Sequence, residues 1–439
     1  MKRHSFWKLL LQIVLLFCVL PISVAAQNNS AIPGFTLQQL EQIALENNPT
    51  LAEARAEVKA AAGRTHQAGM WPNPTVGYTG DEIRGGSFGG GQHGIFVQQD
   101  VILGGKLDLD RKISVEEGKQ TQAAAEEQIL RVKTGVRVAF YKSLAAQQMV
   151  EMRQKLNALA HDAVETTRQL FNVGQADRPD LLQAEVEADQ TELAVVAEQQ
   201  EQRRAWQSLA AMIGKPEITL SRLEGNLENL PELNPEEILQ TILRDSPAVK
   251  NAQLEIARAD AALTRAHRAV VPDLSIRAGY AGNLEQLGTI PPRAVGSEGF
   301  AEVGVNIPLF NRNQGNIEAA SAERERASLE VQRVSLALRQ RAAAILESYV
   351  SLRAAVDVYK TRMLPNARQA HQLFLQKYRQ GAAAYPQVLI AQRTLFELEA
   401  QYLAALENVW INAATLEGFL LTDGLDAPSG ASEIGSSKK

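Results

Sequence analysis

The 439-residue chain contains one cysteine, Cys18, and aromatic residues make up only 5% of it. Cys18 sits inside an apolar run, Leu9 to Leu20, preceded by Lys2, Arg3 and Lys8. Val24-Ala25-Ala26 then offers small side chains at the −3 and −1 positions that a signal peptidase reads. Residues 1–26 are therefore expected to be a secretory signal peptide cleaved after Ala26. The run is about 12 residues, well short of the roughly 20 that a membrane-spanning helix requires. Phe17 occupies the place where a lipobox needs a small residue, which argues against lipidation of Cys18. On this reading the mature chain has no thiol, and disulfides, thiolate metal sites and cysteine nucleophiles are excluded together.

Long hydrophobic runs are equally scarce. After residue 26 nothing approaches 18 consecutive apolar residues, so a transmembrane helix is not expected, and any entry into a membrane has to be made by β-strands. Basic charge is in deficit too. The net charge is −5, and losing Lys2, Arg3 and Lys8 with the leader takes it to about −8. A nucleic-acid partner would want a basic stripe, and none is expected here.

Catalytic signatures are also missing. Leu103-Gly-Gly-Lys-Leu107 resembles a phosphate loop only superficially. Asp100 stands where the first glycine belongs, and Leu107 where Ser or Thr should follow the lysine. His66, His161, His267 and His371 are scattered without ligand spacing, so neither a metal site nor a cofactor is expected. Met149 and Met152 lie three apart on a helical stretch and read as packing residues. With no nucleophile elbow, zinc motif or framed carboxylate pair, the chain is not expected to be an enzyme.

The chain does contain an internal duplication. Leu45-Glu-Asn-Asn-Pro49, an alanine-rich run and Pro72-Asn-Pro74 are answered by Leu243-Arg-Asp-Ser-Pro247, a second run and Pro272. Val173-Gly174 and Pro179 to Ala184 are answered by Gln380-Gly381 and Pro386 to Ala391. Two repeats follow, residues 27–214 and 235–422, joined by a connector over 215–234 that holds Pro216 and Pro231. A Gly/Ser-rich tail over 423–439 is expected to be disordered.

Each repeat starts with a short helix that stops before an Asn-Pro or Ser-Pro step, followed by a longer helix ending at the next proline. Two alternating segments follow, about 75–82 and 93–101 in the first repeat and 273–282 and 299–308 in the second. The clearest is Ala301 to Ile307, with Ala301, Val303, Val305 and Ile307 on one face and Glu302, Gly304 and Asn306 on the other. The Gly-rich run Gly85 to Gly91 reads as an outward-facing loop between strands. Long helices over 107–172 and 316–379 come next, each spanning roughly 100 Å, with Pro365 expected to kink the second. Past Gly174 and Gly381 the chain returns as helices over 179–213 and 386–421.

Strands of this length approach the 9–11 residues that cross an outer membrane, yet four per chain cannot close a barrel, whose bacterial minimum is about eight. An open edge in lipid is not tolerated, so spanning strands require an oligomer. Alanine-rich helices too long for one globular core bury their stripes on one another. The fold class is thus mainly α with a membrane β-barrel portion.

This layout resembles the outer-membrane factor family, the TolC-like channels, over essentially the whole mature chain. Leu103-Gly-Gly-Lys106 and Ile307-Pro-Leu-Phe-Asn-Arg-Asn-Gln-Gly315 look like the branch that serves heavy-metal efflux of the cobalt–zinc–cadmium and copper–silver type. Val173-Gly-Gln-Ala176 with Asp180 to Ala184 resembles the family's first periplasmic helix turn. The resemblance implies a homotrimer in outer-membrane lipid, with a twelve-stranded barrel, a long periplasmic α-barrel and an equatorial collar. It also implies a periplasmic adaptor (a membrane fusion protein) and an inner-membrane RND transporter as partners. Carried over residue by residue, the adaptor-docking tips are Val173, Gly174, Gln175, Gln380, Gly381 and Ala382. The periplasmic gate falls at Asp180, Gln183, Gln387 and Ile390. The acids expected in the second repeat are missing, and Ala383 replaces a basic bridging residue of that turn. A ring of Asp180 would still gather like charges near a narrow axis and attract cations. The alternatives are a soluble periplasmic coiled-coil scaffold, or the same channel serving drugs or secreted polypeptides.

Overall fold

The computed structural model describes residues 34–83, 90–288, 291 and 293–427. The expected signal peptide, Cys18 and most of the Gly85–Gly91 loop lie outside the described residues.

Helix α1 (Leu37–Asn47) opens on a complete capping box, in which the Thr36 hydroxyl accepts from Gln39 N while the Gln39 side chain accepts from Thr36 N. It ends where Asn48-Pro49 turns the chain into α2 (Pro49–Ala68). The second half repeats the device, as α5 (Pro235–Asp245) gives way at Ser246-Pro247 to α6 (Pro247–Arg268). In each case proline opens a helix, where its missing N–H costs nothing.

Strands β1 (Thr75–Asp81), β2 (Gln92–Val101), β3 (Leu274–Leu287) and β4 (Arg293–Val305) form one antiparallel sheet in the order β1-β2-β3-β4. Helices α3 (Lys106–Asn172) and α4 (Arg178–Met212) make one long hairpin. The other runs through α7 (Gln314–Val358), a π turn (Tyr359–Met363), α8 (Leu364–Arg379) and α9 (Tyr385–Glu417). At 1.5 Å per residue, the 67 residues of α3 span about 100 Å.

The strands of the second half differ from the expected bounds. β3 and β4 reach further into their hairpin, to Leu287 and from Arg293, while β4 stops at Val305 rather than near 308. It stops because β3 begins at Leu274, the partner of Val305, and offers nothing beyond. The expected kink at Pro365 takes the form of the π turn, in which Leu364 N donates to Tyr359 O. Widening the ladder just before the proline accommodates the ring that would clash with a regular turn. The tail also departs from expectation at its start. Gln128 Nε2 donates to Gly424 O and Asp426 O, and Thr50 Oγ1 donates to Gly424 O, so residues 423–427 are tied to the helices.

The main core lies midway along the helices. Short helices α1 and α5 and the 214–234 segment wrap Val136, Phe140, Leu144, Trp206, Leu209, Leu406 and Val409. Backbone groups of that irregular segment would be orphaned without partners, and long-range hydrogen bonds supply them. Gln147 makes a reciprocal pair with Leu223, Trp206 Nε1 donates to Ile218 O, Trp410 Nε1 to Leu227 O, and Tyr349 Oη to Pro231 O. The result is a belt around the bundle. Elsewhere the interhelical seams are lined by alanines such as Ala123, Ala124, Ala160 and Ala163, which let backbones approach closely.

Asn48 ties the belt to the first repeat. It is buried, its Oδ1 accepts from Thr50 N at 3.0 Å, and its Nδ2 donates to Met212 O at 2.9 Å. Replacing Asn48 with Ala removes both bonds and should cost about 1–2 kcal/mol, the usual loss for an N-cap. Urea unfolding followed by circular dichroism should place Asn48→Ala lowest, with Asn48→Asp, which keeps only the cap, between it and the parent.

Candidate functional site: the sheet and the helical tips

The sheet has two unlike faces. Val76, Tyr78, Ile95, Val97, Ile276, Tyr280, Val303 and Val305 share one face and are all exposed, an apolar surface with no cover among the described residues. The opposite face carries Thr79, Gln98, Ser275, Arg277 and Glu302. There the Arg277 guanidinium lies 4.0 Å from the Phe96 ring centre and 5.7 Å from that of Phe300, with Glu302 4.0 Å away. Gly77 leaves room for the Phe96 ring, since a Cβ at that position would fall 2.6 Å from Cζ. Among the described residues, both outer strands, β1 and β4, have an unpaired edge.

At the junction between sheet and helices, Lys106 is buried and pairs with Asp273 at 2.9 Å, while Leu103 N donates to the same carboxylate oxygen. Leu103-Gly-Gly-Lys106 is thus a strand-to-helix corner, with Gly104 and Gly105 both at positive φ.

The two helical hairpins turn in the same way at their far ends. Gly174 has φ 75° and Gly381 φ 71°, the left-handed conformation that closes a helix. Gln175 N donates to Leu170 O and Gly174 N to Phe171 O; Ala382 N donates to Lys377 O and Gly381 N to Tyr378 O. Both are Schellman closures, and the residue pairs correspond one for one. A Cβ on Gly381 would stand 3.8 Å from Gln175 Oε1, so the two tips adjoin. Val173 is 69% exposed at the apex. The six expected tip residues therefore form one surface.

The four expected gate residues sit one to three turns behind it. Asp180 is half-buried, whereas Gln183, Gln387 and Ile390 are exposed. Beneath them Tyr378 Oη donates to Thr167 Oγ1 at 3.1 Å, and the Tyr378 and Tyr385 rings stand 5.6 Å apart. Burial, with the nearby Glu187 carboxylate and the Tyr378 phenol, pushes the Tyr385 hydroxyl up to about 12. It stays protonated at any physiological pH. Asp180 acts in the same direction on both phenols.

The link that sequence reasoning missed lies just above. Arg393 of α9 grips the buried Glu187 of α4 through Nη2 at 2.5 Å and Nε at 3.1 Å. The hydrogen bond to Glu187 raises the Arg393 guanidinium above its ordinary value. Glu187 stands beside the buried Ala184 and Ala188, and an acid on such a small-residue stripe was the available signal. Leu182, Val186, Leu193 and Val196 form a further exposed stripe along α4. Among the described residues no group of three His, Cys, Asp or Glu side chains converges to hold a metal, and no helix is long and apolar enough to cross a membrane.

An apolar sheet at one end and two matched helical tips at the other agree with what comparison finds. The family model described as outer membrane efflux protein matches residues 40–215 and 238–420. The chain belongs to the outer membrane efflux protein family. It is an outer-membrane efflux channel subunit. The cobalt-zinc-cadmium resistance protein CzcC of Cupriavidus metallidurans is 26% identical over 95% of this chain and 99% of its own. The nickel-cobalt-cadmium resistance protein NccC of Alcaligenes xylosoxydans xylosoxydans is 27% identical over 72% and 69%. The outer membrane protein VceC of Vibrio cholerae, at 18% identity, shares the fold with a TM-score of 0.70 over 88% of this chain and 96% of that one.

The Arg393–Glu187 link can be tested directly. Glu187→Ala should loosen the contact between α4 and α9 while leaving the belt intact. Amide exchange in the N-terminal half of α4 should then accelerate, with residues 206–213 unchanged.

Proposed function

We propose that three copies of this chain close a twelve-stranded barrel and continue as a periplasmic helical duct, through which an RND-type pump expels heavy-metal cations. The observation that carries this reading is the sheet, which has one apolar face and two open edges. Neither edge can be left unpaired in hydrocarbon, and side-by-side assembly of sheets satisfies both. The exposed stripe Leu182, Val186, Leu193 and Val196 gives the helices a matching surface for the neighbouring copy.

Cargo and partners follow from relatives and from the tips. The names of CzcC and NccC point to divalent transition-metal cations as cargo. The duct runs no chemical step and needs no cofactor. Val173 to Gln175 and Gln380 to Ala382 offer the exposed turns on which a periplasmic adaptor docks. Asp180, Gln183, Gln387 and Ile390 line the closing end, where three Asp180 carboxylates would favour cations.

Two measurements decide the matter. Membrane fractionation and light scattering of the detergent-extracted protein should return an outer-membrane trimer. A detergent-free monomer in the periplasm would replace the duct with a soluble helical scaffold. Gly174→Leu and Gly381→Leu force a side chain into left-handed backbone at the apex. They should abolish metal resistance while leaving the trimer assembled, and normal resistance would remove the docking assignment.

A further inference from the structure

Near the helices the two strand pairs of the chain share one register, which allows the missing seam between copies to be written down. Val76 pairs with Val97 in the first half and Leu274 with Val305 in the second. Gly105 and Asn313, both left-handed at φ 68° and 62°, precede α3 and α7 at the corresponding point. The offsets are therefore 198 from β1 to β3 and 208 from β2 to β4. Within the chain, β2 meets β3 by pairing Val97 with Ala278, Gln99 with Ile276 and Val101 with Leu274. Applying the offsets to both partners yields Val305 opposite Gly80, Ile307 opposite Tyr78, and Leu309 opposite Val76.

We infer that the segment Asn306–Leu309, which lies outside β4 in the single chain, is the docking strand for the β1 edge of a second copy in this register. The inference rests on the trimer proposed above. Four features fit it. Ile307 and Leu309 are 65% and 64% exposed, and in this pairing they fall on the same apolar face as Tyr78 and Val76. A slip by one residue would set them against Gly77 and Thr79 of the other face.

The hydrogen-bond phase also fits. Leu284 N donates to Gly91 O, so odd-numbered β2 residues present their backbone groups to β3. By correspondence Val305, Ile307 and Leu309 face the open edge, while Pro308, which has no N–H, faces away from it. In the lone chain Leu309 N donates instead to Ile307 O at 3.0 Å, a local closure of two groups with no strand to meet.

The corner beside the seam is the fourth feature. Lys106 and Asp273 make an ion pair at the inner seam, and their counterparts at the outer seam are Gln314 and Thr75. Charge is lost from both members together, so docking buries no lone charge.

The test uses the full chain carrying Tyr78→Cys and Ile307→Cys. Directly paired strand residues lie about 5.5 Å apart, within disulfide reach. A shift of two residues moves the partner by about 6.8 Å along the strand and out of reach. Mild oxidation should convert the double variant into covalent trimers on non-reducing gels. Single variants and the shifted pairs Tyr78→Cys/Val305→Cys and Tyr78→Cys/Leu309→Cys should stay monomeric there. Light scattering under reducing conditions verifies that each variant assembles. A trimer linked only through a shifted pair overturns this register and leaves the trimer standing; a monomer overturns both. In the unmodified protein the Ile307 amide should exchange as slowly as β2 amides, and fast exchange in an intact trimer also overturns the register.

Discussion

Backbone N–H and C=O groups at the edge of a sheet have nowhere to go in hydrocarbon, and the rest of this architecture answers to that constraint. Four strands per chain leave β1 and β4 each with one such edge. The apolar face of the sheet suits lipid, but the edges do not. Among the described residues the second repeat supplies two strands and no more, and in the assembly proposed above neighbouring copies would supply the remainder. In that assembly, closing the ring would be what satisfies the edge backbone, and so what fits the sheet for the membrane.

The helical part solves a different problem. A helix of about 100 Å has far more surface than one globular core can cover. Alanines along the seams let helices approach along their length, and the large side chains concentrate in the belt, where α1, α5 and the 214–234 segment wrap the bundle. The belt is held by side chains reaching backbone groups: Gln147, Trp206, Tyr349 and Trp410 each bond to a carbonyl or amide of the 214–234 segment. At the tips the same economy returns in two matched glycine closures.

Much of this was legible in the sequence because it depends on local chemistry. Proline after Asn48 and Ser246 marks helix starts, period-two alternation marks Ala301 to Val305, and Gly174 and Gly381 mark the turns. All six tip residues fall on one exposed surface for that reason. What was not legible depends on long-range pairing. The extent of β3 and β4 is set by their register, the first tail residues are held by Thr50 and Gln128, and Glu187 finds Arg393 across 206 positions of sequence. No window of sequence contains both ends of such contacts. The four expected gate positions are intermediate: their place in the chain follows from the turn, but the phenols and the ion pair packed near them come from the fold.

The π turn at Tyr359–Met363 has no counterpart in the first hairpin, where α3 runs unbroken through its 67 residues. Two near-equal hairpins per subunit would give a three-subunit duct an approximate sixfold axis. In that duct a single widened turn in every second hairpin would lower the symmetry to threefold from that height to the tips. Above that level the walls would be near-equivalent, whereas below it unbroken and interrupted helices would alternate around the axis. In the proposed duct, three interrupted helices set between three unbroken ones would let the tip adjust while the sheet end stays as it is.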